Sequence, residues 1–264
     1  MTSSKQIFQI DAFTERIFGG NAAAVCLLGE PCEAEWMQEL ARELNQSSTT
    51  FITEAPDGFS IRWFTRREEL VINGTGTLCS AHVLWETGRV PRDQVVRFQS
   101  RSGELTAQRD DGWIEIDFPA GTATPAETPD HLVNGLGATP MAVVRTSRNV
   151  IALFETEAQV RALEPDYPVL ARVEARGIIA TASDVGSEFD FISRYFAPAG
   201  GMNEDPVNGS SHTELGPLWQ ARLGRDELLA LQASPRGGVL RVRPRGERVL
   251  IAGKAVTVAR GELA

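Results

Sequence analysis

At 264 residues the chain is long enough for two domains of ordinary size, each with a real core. A net charge of −9 and a pI of about 5.0 argue against a nucleic-acid surface. The local clusters Arg62, Arg66, Arg67 and Arg236, Arg241, Arg243, Arg245 read as solvated faces.

In chain order, residues 6–13 alternate in polarity and predict a strand. Residues 14–21 form a loop ending in Gly19-Gly20-Asn21. The continuous apolar run 23–28 predicts a buried strand, with Cys26 packed in the core. Trp36, Met37, Leu40, Ala41 and Leu44 recur at helical spacing, so 33–44 predicts a helix. Asn45-Gln46-Ser47-Ser48 ends it, and Thr49-Thr50-Phe51-Ile52 restarts a strand. Residues 59–64 form the next strand, followed by Glu68, Glu69 and an Asn73-Gly74 step. Thr75-Gly76-Thr77 then opens a helix that runs to Glu86 and stops at Gly88. That helix is apolar nearly all round, which predicts a sheet or barrel wrapped around it. Strands follow at 95–99, 104–109 and 113–118. Residues 119–129, rich in Gly, Ala, Thr and Pro, form a linker.

The second half repeats this order. Strands are predicted at 141–145, 150–154, 177–181 and 191–196, with a helix at 157–163. The loop 202–208 then leads into a helix that carries Ser210 and Ser211 in its first turn and ends at Gly224. A short helix at 226–232 and three closing strands at 238–243, 248–251 and 255–258 complete the chain. Arg62-Trp63-Phe64 mirrors Arg194-Tyr195-Phe196, and Asn73-Gly74-Thr75 mirrors Asn208-Gly209-Ser210. A period of half the chain indicates a duplicated domain.

Each copy sets a helix N-terminus behind an Asn-Gly step. Free N–H groups and the helix dipole there favour an anion. Two such starts facing each other would line a cleft suited to a small carboxylate, with Asn73, Gly74, Asn208, Gly209 and Ser210 holding it. No phosphate loop of dinucleotide or nucleotide type follows a strand, so no cofactor is expected. Cys26, Cys32 and Cys79 are an odd count without metal spacing, and the only His residues are His82, His131 and His212, so no metal site is expected. The opening stretch MTSSKQIFQIDAF lacks the long apolar run of a signal peptide, and no stretch reaches membrane-spanning length. A cytoplasmic protein with no membrane partner is the expectation.

Four stretches together resemble the phenazine-biosynthesis isomerase (PhzF-like) family, within the diaminopimelate epimerase-like superfamily. They are Asp11-Ala12-Phe13-Thr14 with Gly19 to Val25; Glu43-Leu44-Asn45 through Phe51; Arg62-Trp63-Phe64-Thr65 with Gly74, Thr77 and Leu78; and Phe196-Ala197-Pro198 with Glu204 to Val207, Gly209 and Ser210. The resemblance implies an α+β fold of two similar domains, each a curved or barrel-like mixed sheet around a central helix. It places the active site between them and makes a homodimer the usual assembly. The corresponding boundaries are 1–118 for the first domain, 119–129 for the linker and 130–264 for the second, with the C-terminal strand a candidate to return to the first. Asn21, in the opening signature, joins the substrate-binding set.

The chain also departs from the family. The family segment after the first helix usually reads Asn-Leu-Ser-Glu-Thr, with the Glu as main acid/base; here that position is Ser48. The first-domain motif usually reads Cys-Gly-His-Ala-Thr; here the His is replaced by Thr75. The Cys found at each motif start in the epimerases is replaced by Asn73 and Asn208, and Cys79 is out of register to substitute. A hydroxyl holds no exchangeable proton near neutral pH without a partner base. The catalytic set is therefore read as Asp205, with Ser48 and Thr75 in the family's acid/base positions. Glu204 is the other acid of the loop, and His212 is a helix residue close enough to assist. The function expected is proton-transfer isomerisation of a small cyclic or amino-acid-derived carboxylate. The alternative is a catalytically reduced relative that binds such a ligand without turning it over.

Overall fold

The computed structural model describes residues 5–184 and 186–263, so the first four residues of the opening stretch lie outside the described part. The chain divides into two compact units, residues 1–118 with 251–264, and residues 119–250.

In the first unit, β1 (Gln6–Ala12) and β2 (Asn21–Leu27) pair antiparallel. Helix α1 (Ala34–Leu44) crosses to β3 (Thr49–Ala55), which runs parallel to β2. β4 (Gly58–Phe64) returns antiparallel, and the two-residue β5 (Glu69–Leu70) lies on it. Helix α2 (Gly74–Glu86) follows, then β6 (Val96–Ser100) parallel to β4, and β7 (Gly103–Asp110) and β8 (Trp113–Pro119) in antiparallel succession. Helix α2 touches β1, β2 and β3 on one side and β7 on the other, so the sheet curves around it. Residues Gly74 to Ala81 and Val83 to Trp85 of α2 are all buried, as its uniform apolarity requires. Its close seating needs Gly76: a Cβ there would meet the Thr50 hydroxyl and come within 2.6 Å of Trp63 Cδ1.

The second unit repeats the pairing sequence. β9 (Thr124–Pro125), α3 (Leu132–Leu136) and β10 (Ala142–Arg145) open it, with β9 antiparallel to β10. β10 pairs antiparallel with β11 (Asn149–Leu153). α4 (Glu157–Arg161) and α5 (Tyr167–Leu170) lead to β12 (Gly177–Ser183), parallel to β11. β13 (Phe191–Ala197) returns antiparallel, and the short β14 (Met202–Asp205) lies on it, as β5 lies on β4. Helix α6 (Gly209–Leu223) follows, then β15 (Leu228–Gln232) parallel to β13, then β16 (Gly238–Arg245) antiparallel to β15. β17 (Arg248–Gly253) carries the chain over the unit boundary. β18 (Ala255–Glu262) then pairs antiparallel with β1 in the first unit.

Both units thus run antiparallel, parallel, antiparallel, parallel, antiparallel, with the main helix inserted after the short strand. Helix α6 contains Pro217, whose missing N–H frees the Thr213 carbonyl four residues back. The Gly121 N–H takes that carbonyl at 3.0 Å.

Two local expectations need correction. Residues 226–232 were expected as a helix because Glu, Leu and Ala favour one, yet Leu228–Gln232 is a strand. Pairing with β13 and β16 on both sides outweighs a propensity difference of well under 1 kcal/mol per residue. Residues 202–208 were expected as loop, and the first four form β14.

Candidate functional site

The two main helices start in the same way. Asn73 caps α2, its Oδ1 accepting from Gly76 N at 2.6 Å; Asn208 caps α6, its Oδ1 accepting from Ser211 N at 2.7 Å. Four residues on, Thr77 Oγ1 donates to the Asn73 carbonyl at 2.7 Å, and His212 Nδ1 lies 2.8 Å from the Asn208 carbonyl. The caps satisfy the third N–H of each helix. They leave the Gly74–Thr75 and Gly209–Ser210 amides at the tip, where the dipole favours negative charge.

A bidentate ion pair braces the approach to each helix. Arg62 grips Glu69 through Nε and Nη2 at 2.7 and 2.9 Å, and Arg194 grips Glu204 at 2.8 and 2.9 Å. Each guanidinium lies over the Phe two residues on, 5.3 Å from the Phe64 ring and 5.0 Å from the Phe196 ring. The Arg62 hydrogen bond holds the Glu69 carboxyl below its ordinary range. Arg62 is therefore no simple solvated charge, because the short strand β5, paired to its own strand β4, carries a matched carboxylate. Arg194 also donates to the Leu163 carbonyl at 2.7 Å. Glu204 is committed to Arg194.

In the first unit, Asn21 opens β2 and is 2% exposed, and Thr75 lies in the first turn of α2 at 6%. Ser48 precedes β3, its carbonyl accepting from Ala24 N at 2.9 Å; it is 1% exposed, and its hydroxyl has no hydrogen-bond partner among the described residues. The same holds for Thr50 Oγ1 and Trp63 Nε1, which pack against Gly76 and to neither of which the sequence assigned a site role. A buried polar group without a partner costs about 1–3 kcal/mol. Thr50→Val, which keeps the shape and removes the hydroxyl, is accordingly expected to raise stability by about 1 kcal/mol in urea unfolding. A loss of that size would show that the hydroxyl is satisfied in solution.

In the second unit, Asp205 ends β14 and is buried at 7% exposure. Its Oδ2 accepts from Asn208 Nδ2 at 2.8 Å, so the carboxylate holds the capping residue instead of capping the helix itself. Gln232, fully buried on β15, fixes the loop from below: Nε2 donates to the Asp205 carbonyl at 2.7 Å and Oε1 accepts from Asn208 N at 2.8 Å. Ser210 is exposed and donates to Asn208 Oδ1 at 2.8 Å. The role of Gln232 was hidden in the sequence because its stretch reads as helix.

His212 is fully buried and stacked on Phe191, itself stacked on Trp219. Burial pushes its imidazole down from 6.5 to about 4. As pH falls through that window, the unfolded chain takes up a proton that the folded one refuses, so stability falls. The full loss is on the order of 3 kcal/mol. Glu214, raised by burial, works in the opposite sense. His212→Gln should therefore flatten the dependence of the urea midpoint between pH 6.5 and 4; an unchanged slope would assign it to other groups. Burial also pushes the Cys26 thiol up to about 12 and raises Cys79 further, so neither is a nucleophile. Among the described residues, no group of three His, Cys, Asp or Glu could hold a metal ion, and no helix is long and apolar enough to cross a membrane.

Comparison with known proteins places this arrangement. Residues 10–261 match a family model described as phenazine biosynthesis-like protein. The chain is 44% identical over 258 residues to an uncharacterised isomerase of Halalkalibacterium halodurans, covering 97% of each. It is 43% identical to an uncharacterised isomerase of Pseudomonas aeruginosa, covering 98% of each. The crystal structure of a PhzF-family phenazine biosynthesis protein from Enterococcus faecalis superposes with a TM-score of 0.94 at 34% identity over 99% of both chains. A probable proline racemase from Agrobacterium radiobacter, at 15% identity and a TM-score of 0.66, shares the fold. The duplicated curved sheets, the paired Asn-capped helices and these matches together show that the chain belongs to the phenazine biosynthesis-like (PhzF-like) family, with the diaminopimelate epimerase-like fold.

Proposed function

We propose that the protein is an isomerase that moves a carbon-bound proton on a small cyclic or amino-acid-derived carboxylate, with Asp205 as the acid/base. The observation that carries this reading is the setting of Asp205. It is a buried carboxylate at a strand end, oriented by Asn208 and directly before the N-terminus of α6. Family membership and relatives that are named isomerases at 44% and 43% identity support the reaction class. Each helix start by itself offers donors to a carboxylate, the Gly74–Thr75 amides in the first unit and the Gly209–Ser210 amides in the second, and Asn21, Asn73 and Asn208 are assigned to binding with them. Ser48 and Thr75 exchange no protons in this reading, because neither hydroxyl titrates near neutral pH. The reaction so conceived needs no cofactor. The family's homodimer and a cytoplasmic setting are carried over with it.

A second reading is favoured by Ser48 itself. A hydroxyl stands where the family carries its main acid/base, which fits a relative that binds the ligand without turning it over. Incubating the protein with a panel of small carboxylates in heavy water separates the two. Deuterium entering a carbon position supports isomerisation. Binding seen by calorimetry with no exchange from any bound member of the panel supports the second reading.

A further inference from the structure

Glu214 is a buried carboxylate that the reaction above does not use. It lies on α6 and is 6% exposed. Thr146 Oγ1 donates to its Oε1 at 2.8 Å and Asn149 Nδ2 to its Oε2 at 2.7 Å. With its Nδ2 thus engaged, Asn149 turns its carbonyl oxygen toward Tyr195, whose hydroxyl donates to it at 3.2 Å. Tyr195 on β13 is the cross-strand partner of Asp205 on β14. Asp205 in turn accepts from Asn208, which caps the helix that carries Glu214. The contacts close a ring: Asp205, Asn208, helix α6, Glu214, Asn149, Tyr195 and back to Asp205.

For stability alone, an apolar side chain would serve this position better than a buried carboxylate. We propose that Glu214 is a positioning residue for Asp205, acting through Asn149 and Tyr195 and through the first turns of α6. The inference rests on the reading of Asp205 as the acid/base. Two consequences follow from the ring. Glu214 fixes which way the Asn149 amide points and hence that the Tyr195 hydroxyl donates away from Asp205. It also adds a second negative charge on the far side of Tyr195, which makes ionisation of the groups between the two carboxylates harder. The charged groups around Tyr195 are Asp205 and Glu214 on one sign and Arg176 and Arg148 on the other. Burial raises the Tyr195 hydroxyl to about 12, with both carboxylates adding to the rise and both arginines opposing it.

The test uses two variants of the full chain. Glu214→Gln keeps an oxygen that accepts from Asn149 Nδ2 but carries no charge; the Thr146 oxygen, which already accepts from Arg148 N and Asn149 N, takes no further donor. Glu214→Met keeps the volume and leaves the Asn149 Nδ2 without its acceptor. Tyr195 is followed by NMR of its ring carbons with pH, in a Tyr167→Phe background that leaves it the only tyrosine. In Glu214→Gln the Tyr195 midpoint is expected to fall by about half to one pH unit. Deuterium exchange should keep its maximal rate. In Glu214→Met the exchange rate should drop at least tenfold while Glu214→Gln retains it, the pattern of a residue that orients a neighbour. An unmoved Tyr195 midpoint overturns the proposal. Equal loss of exchange in both variants, tracking only their loss of thermal stability, overturns it as well. If the unaltered protein exchanges no carboxylate, it is the isomerase reading that fails. The Tyr195 titration then still decides the ring, because it needs no substrate.

Discussion

Arg194→Met is expected to destabilise the protein by about 3–5 kcal/mol, the cost of stripping one partner from a buried ion pair. The Arg194 and Glu204 side chains are each 10% exposed, so Glu204 would be left buried and uncompensated. The Leu163 carbonyl would lose its donor as well. The mirrored change, Arg62→Met, should cost only about 1 kcal/mol. Arg62 is 30% exposed, and Glu69 keeps Arg101 at 2.8 Å. The same pair, built twice at matching places, therefore contributes differently because water screens one copy. The double variant Arg194→Met with Glu204→Met should recover most of the loss, since an apolar pair of similar volume removes the stranded charge. Urea unfolding of the three variants measures all of this. Equal costs at Arg62 and Arg194 would show that burial does not set the difference.

Asp205→Asn is expected to lower deuterium exchange by a factor of about 10²–10⁴, the usual contribution of a general acid/base. The replacement keeps an oxygen that can accept from Asn208 Nδ2, so the cap of α6 and the donors of its first turn should remain in place. Carboxylate affinity by calorimetry should then stay within about tenfold of the unaltered protein. This separation identifies a group that acts on the proton and not on the pose. If affinity and exchange fall together, with a lower urea midpoint, Asp205 is a structural support of the Asn208 cap.

Much of this architecture was legible because apolar spacing is a direct imprint of burial. The uniformly apolar α2 announced a helix enclosed by sheet, and the repeated Asn-Gly steps announced two equivalent helix starts. The repeat of Arg-Trp-Phe as Arg-Tyr-Phe was visible as a pattern, but its reason was not. The reason is a carboxylate seven residues on in one copy and ten in the other, brought back by a short strand whose pairing no local signal predicts. Gln232 and Glu214 stayed hidden for a related cause. Their partners lie 27 and 65 residues away in sequence, and only strand pairing brings them close. Propensity even misled at β15, where neighbouring strands decide the conformation.

The pairing of β18 with β1 has a consequence for the order in which the chain can fold. Residues 119–250 form one unbroken stretch, so the second unit is complete as soon as that stretch has left the ribosome. The first unit begins the chain yet needs Ala255–Glu262 to cover β1 on the side away from β2. Until those last residues emerge, β1 is an open edge with unpaired backbone groups, the kind of edge that recruits strands from other chains. Closing it also spans nearly the whole sequence, which raises the contact order of that step alone. The unit made first is thus the unit finished last, and the interval between is when this chain is most open to mispairing.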